Sequence, residues 1–171
     1  MPFAVTHVLF PIIVLELLKK RSRKIKKNLS PHLLLAAGIF GLLPDIDVIL
    51  EIIFYALYGT LWGVHRAVTH SLLIPLILFF LAFLFLKNKK IFTLFLVGAF
   101  GWATHILLDF LLVGEVALFF PLLPGSWGLS LLVGPSVSEQ AAIYLLSGLD
   151  AVVFLAWIWH EEKYRKLRDF L

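Results

Sequence analysis

Seven side chains in this 171-residue chain can offer a nitrogen or oxygen to a cation: His7, Asp45, Asp47, His65, His70, His105 and Asp109. They fall in four short pieces, Thr6-His7, LLPDID (42–47), HRAVTHS (65–71) and HILLD (105–109). His105 and Asp109 are four residues apart, so a helix places them on one face, where they can grip a single ion. Pro44 interrupts a helix that would otherwise hold Asp45 and Asp47 about 200° apart, and the break lets both carboxylates turn toward one point. A turn at Gly63 to His65 is expected to bring His65 and His70 inward together, because a regular helix would splay them by about 140°. Arg66 carries a planar donor fork that matches phosphate oxygens or a salt bridge to Asp47 or Glu51, and Thr69 and Ser71 are suited to orient the histidines or to cap the third span. There is no cysteine, so ligation must use imidazole and carboxylate, a mixture that suits zinc. One ion needs about four ligands, so seven allow one ion or two, and paired ions are the arrangement used to hydrolyse phosphoesters.

These pieces must be held by elements that cross a membrane. The composition is 61% hydrophobic, with 16 Phe and only 15% charged residues, and the mean hydropathy is +0.97; a water-soluble domain does not look like this. Residues 2–18, 31–58, 91–113 and 140–159 are apolar runs suited to a hydrocarbon core of about 30 Å, and 71–86 is a shorter fifth. The expected fold is therefore all-α, a polytopic bundle of about five transmembrane helices forming a single domain over residues 1–171. Of the 15 Lys and Arg, all but Arg66 lie in KKRSRKIKK (19–27), KNKK (87–90) and KYRKLR (163–168). Five spans put those clusters on one side, which the positive-inside rule makes cytoplasmic, leaving the N-terminus outside and the C-terminus inside. A basic run such as KKRSRKIKK can serve nucleic acid, but beside a membrane span it reads as topology and lipid contact. The positive charges follow the first apolar run, so a cleaved signal peptide is not expected.

Helix rise then sets depth. Asp45 and His105 come out about 21 Å from the cytoplasmic end of their spans and His7 roughly 17 Å, while HRAVTHS forms the outer end of the third span. Four distant pieces of chain converge on one level. One His or Asp at such a depth is served by an interhelical hydrogen bond; this many ionisable groups need pairing, water or a bound ion. Elsewhere His32 reads as structural and His160 as part of an interfacial belt with Trp157 and Trp159. Asp150 is equally suited to helix packing or to facing the site. The 114–139 loop is rich in turn formers, and Gly38, Gly41, Gly98 and Gly101 read as close helix contacts.

The motifs resemble those of the YdjM-like family of membrane-bound, metal-dependent hydrolases: Thr6-His7, Leu42 to Asp47, His65 to Ser71, and His105 to Asp109 followed by Gly114 and Pro121. The resemblance covers about residues 1–125 and leaves out the last span. Ala67 stands where many relatives have Gly, and Val48 where many have a further His. The order of ligands is also similar to that of zinc-dependent phospholipase C, at the level of fold analogy.

Together these readings imply a multi-pass plasma-membrane hydrolase whose site faces the extracytoplasmic side. It would hold one or two divalent ions, zinc first, on His7, Asp45, Asp47, His65, His70, His105 and Asp109. Asp47, Arg66 and Asp109 would carry the chemistry on a lipid-linked phosphoester, with the bilayer and no nucleic acid as partner. A metal-ion or proton transporter using the same residues is the alternative, and a scaffold with a closed structural metal the third.

Overall fold

Helices begin in the basic segments because capping residues sit there. Ser22, Ser30 and Asn88 each accept a hydrogen bond from the backbone N–H three residues ahead, at 3.4, 3.4 and 3.3 Å, which satisfies an N–H that the first turn leaves without a partner. The computed structural model describes residues 4–60, 66, 68–134 and 136–165, without the side chains of Lys24, Lys26, Glu139, Tyr164 and Arg165. In chain order the helices are α1 (Ala4–Arg21), α2 (Arg23–Asn28), α3 (Pro31–Leu42), α4 (Ile46–Tyr58), α5 (Leu73–Leu84), α6 (Lys89–Leu108) and α7 (Glu139–Arg165). A 3-10 turn, Leu43–Asp45, joins α3 to α4, and a π-helical turn, Asp109–Val113, prolongs α6. The described residues hold a single isolated β-bridge, Val116 with Trp127. The protein is all-helical, as its sequence implies.

Three stretches are long and apolar enough to cross a bilayer: Pro31–Tyr58, Lys89–Val113 and Gln140–Lys163. Of the other two expected spans, α1 has 18 residues but carries Glu16, Lys19, Lys20 and Arg21 in its last two turns. The run 71–86 is helical only from Leu73 to Leu84. Twelve residues rise about 18 Å, well short of the hydrocarbon core. Large side chains such as Leu57, Phe80, Leu84 and Leu155 remain exposed, which is the surface a bilayer covers.

The centre of the bundle is α3, packed between α1 and α6, with α5 against α6 and α7 against α1. Close approach makes this possible. A Cβ on Gly101 would run into the carbonyl of Ala37, and one on Gly41 into the carbonyl of His7, so glycine at both places lets three backbones meet. Leu15, Leu34, Ala37 and Val97 fill the core below. Described members of the basic clusters gather at one end. Lys27, Lys89 and Lys90 line a common cavity, and Lys20 of α1 lies 3.0 Å from His160 of α7.

A Gly101→Leu substitution is expected to lower the midpoint of thermal unfolding in detergent, followed by circular dichroism, at a cost of about 1–3 kcal/mol from overpacking. Gly148→Ala, where nothing lies within 4 Å, is expected to be neutral or to stabilise by about 0.5–1 kcal/mol. Equal midpoints for the two variants would contradict the packing described.

Candidate metal centre

Each piece of the cluster is delivered by a different local device. His7 sits in the first turns of α1, and that end is held by α7: the carboxylate of Asp150 accepts from Thr6 N at 2.9 Å, Thr6 Oγ1 at 2.6 Å and Val5 N at 3.3 Å. Of the two roles open to Asp150, it takes the packing one, as a cap on the helix that carries His7. The 3-10 turn containing Pro44 delivers Asp45 and Asp47. The segment before α5 supplies Arg66 and His70; it is fastened to α6 by Trp102 Nε1 donating to the Thr69 carbonyl at 2.7 Å. His105 and Asp109 lie at the junction of α6 with its π turn, a local widening often found at functional sites.

Asp109 is the hub. Its Oδ1 is 3.4 Å from His7 Nε2, and its Oδ2 is 3.4 Å from His70 Nε2, 3.8 Å from His105 Nε2 and 3.7 Å from Arg66 Nε. Asp45 Oδ1 lies 3.7 Å from His70 Nε2 and 3.5 Å from His105 Nε2. The rings of His7 and His105 stack with centroids 3.9 Å apart. His7, His70, His105, Asp47 and Asp109 are all at most 2% exposed. Arg66, with positive φ of 66°, keeps its side chain 26% exposed.

The hydrogen bonds assign the tautomers. His105 Nδ1 is 2.8 Å from the Gly41 carbonyl, which only accepts, so this nitrogen carries the proton. On His70, Nδ1 is 3.0 Å from Thr69 Oγ1 and 3.4 Å from Asp47 Oδ2; the Thr69 hydroxyl donates to that same Asp47 oxygen, as does Arg66 N at 3.1 Å. His70 therefore donates through Nδ1. With both Nδ1 atoms protonated, the two Nε2 atoms, 3.0 Å apart, need either a proton on one of them or a bound cation between them. Ligand atoms about 2.1 Å from a tetrahedral ion sit roughly 3.4 Å apart. The five separations given among His70 Nε2, His105 Nε2, Asp45 Oδ1 and Asp109 Oδ2 run from 3.0 to 3.8 Å. Asp45 Oδ1 and Asp109 Oδ2 are buried and accept no hydrogen bond from the described residues. Both fit a divalent cation. Three carboxylates, Asp45, Asp47 and Asp109, gather around the guanidinium of Arg66 and the imidazoles, an excess of acidic groups that protonated imidazole or a bound cation offsets.

The structure thus brings together His7, Asp45, His70, His105 and Asp109, with Asp47 and Arg66 beside them. Both aspartates of LLPDID do turn toward one point, the His70 ring, but they address opposite edges of it. His65 and the turn expected at Gly63 to His65 lie outside the described residues. Nothing in residue type pointed to the Gly41 carbonyl, since backbone acceptors leave no trace there. A second His and carboxylate group, Glu16, His160 and Glu161, clasps α1 to α7 at the basic end.

A helical membrane protein with a buried imidazole and carboxylate centre is what the fold and geometry define. The family model described as YdjM inner membrane protein matches residues 1–166. The chain belongs to that family. The match reaches through α7 and corrects the narrower resemblance drawn from the motifs, which stopped near residue 125; α7 lacks a sequence motif, yet it holds α1 in place. No curated protein and no solved structure gives a significant match.

In metal-free protein, long-range proton–nitrogen NMR of imidazole-labelled material is expected to show His105 protonated at Nδ1. A proton on Nε2 alone would refute the assignment.

Proposed function

We propose that this protein is a membrane-embedded, metal-dependent hydrolase acting on a lipid-linked phosphoester. The observation that carries the reading is the set of His70, His105 and Asp109 atoms at ligand-to-ligand spacing, with Asp45 Oδ1 at similar spacing from the same two imidazoles, all buried within the bundle. Its single ion, zinc first among candidates, would be held by these four with His7 in reserve. His105 has only Nε2 to give, because Nδ1 serves Gly41; it can therefore serve at most one ion in the overlapping triads His7, Asp45, His105 and His70, His105, Asp109.

The chemistry a divalent cation supplies in such a ligand set is Lewis-acid activation of water and of a phosphoryl oxygen. The chain does the rest. Arg66, the most exposed group of the cluster, holds phosphate oxygens in its donor fork. Asp47 keeps the His70 ring oriented and its Nδ1 protonated, the outer partner of a carboxylate and histidine pair. Asp45, whose side chain is 14% exposed, is the carboxylate best placed to take a proton from water. An apolar cavity of 390 Å³, lined by Val8, Leu35, Ile39, Leu42 and Ile49, reaches Asp45; its size and lining suit a lipid chain whose polar end meets the cluster. With the basic clusters cytoplasmic, the site lies toward the extracytoplasmic face of a plasma membrane. A transport path would need polar groups through the inner half of the bundle, whereas the buried positions of α1 between His7 and Glu16 are Leu9, Pro11 and Leu15.

Purified protein is expected to contain about one equivalent of divalent metal by mass spectrometry, and His105→Ala with Asp109→Ala to lose it. Arg66→Ala should keep the metal and lose at least about 10²-fold in turnover of lipid phosphoesters. Asp47→Ala should weaken metal binding about 10- to 100-fold. A protein that binds no divalent ion would end the proposal.

A further inference from the structure

From Val116 to Ser138 the sequence carries no Asp, Glu, Lys, Arg or His, although this segment connects two membrane spans and belongs to none. Its backbone is tied down. Val116 and Trp127 exchange hydrogen bonds of 2.9 and 3.0 Å, and Leu129, Leu131 and Leu132 donate to the carbonyls of Phe110, Leu111 and Leu112 at 2.7, 3.0 and 3.0 Å. Ser71 Oγ donates to the Phe120 carbonyl at 2.6 Å, and Leu72 N to that of Leu118 at 2.9 Å. Gly128 lies against Gly114, where no Cβ would fit.

With part of its backbone engaged inward, the loop turns apolar side chains out. Leu122 is 80% exposed, Leu131 66% and Leu129 57%, and Phe119, Leu123 and Trp127 join them. Such a surface is costly in water. It is anchored to spans ending at Val113 and beginning at Gln140, so it cannot leave the membrane surface. Uncharged sequence, outward leucines and a tryptophan, on a backbone tied in part to the bundle, are what the lipid interface accepts.

We propose that residues 119–131 dip into the leaflet at the end of the bundle opposite the basic clusters, as a lipid-inserted loop that is not a span. Ser71, adjacent to His70, hangs from the carbonyls of this loop, so the lipid contact and the His/Asp cluster share a joint. The inference stands whether or not the cluster is catalytic.

The chain has no cysteine, so single nitroxide labels can be placed cleanly at Leu122→Cys and Leu131→Cys. Glu115→Cys, at an exposed charged position, serves as the aqueous reference, and Leu155→Cys on α7 as the bilayer reference. In full-length protein reconstituted into phosphatidylcholine nanodiscs, power saturation compares collisions with oxygen and with a nickel chelate. Labels at 122 and 131 are expected to show an oxygen-to-chelate ratio severalfold above that at 115 and close to that at 155. A ratio matching 115 would overturn the insertion. Spin–spin broadening that disappears on dilution with unlabelled protein would overturn it too, because a second copy and not lipid would then cover the loop.

Discussion

A carboxylate with about 1% of its surface exposed must be compensated inside the protein, and the arrangement around Asp109 follows from that. Two oxygens meet three imidazoles and a guanidinium in surroundings where an uncompensated charge costs several kcal/mol. No single element could supply the partners. α1, the segment before α5 and α6 itself each bring one or more, and the Pro44 turn brings two further carboxylates to the same imidazoles.

That convergence is why the bundle is tight where it is. Gly41 and Gly101 let α1, α3 and α6 approach to backbone contact, and the Gly41 carbonyl exposed by this approach becomes the acceptor that fixes the His105 tautomer. Packing and site chemistry share the same atoms. α7 acts at a distance from the cluster: through Asp150 it closes the N-terminal turn of α1, and through His160 it meets Lys20 at the other end. A helix that lends no side chain to the centre thereby sets the position of one that does, which agrees with a family match extending through it.

The apolar exterior and the polar centre are also linked. Ser71 joins the loop after α6 to the residue that follows His70 in the chain, and Asp45 lines both the cluster and an apolar cavity among α1, α3 and α4. The apolar loop, the apolar cavity and the buried cluster thus meet at a few named residues.

The sequence by itself determined the class of structure, because hydropathy and span length depend only on residue type and order. It also picked out His7, Asp45, Asp47, His70, His105 and Asp109 as groups that must meet, since ionisable groups at a common depth along apolar helices are costly otherwise; the seventh, His65, lies outside the described residues. Among the described residues α1 and α5 have shorter apolar lengths than the other three stretches, because of the charge in the last two turns of α1 and the α5 limits at Leu73 and Leu84. Only the tertiary structure decided which edge of His70 each aspartate addresses, that Asp150 caps α1, and that a backbone carbonyl orients His105. Those facts depend on rotations and approaches between elements far apart in the chain, and spacing within one element carries no record of them.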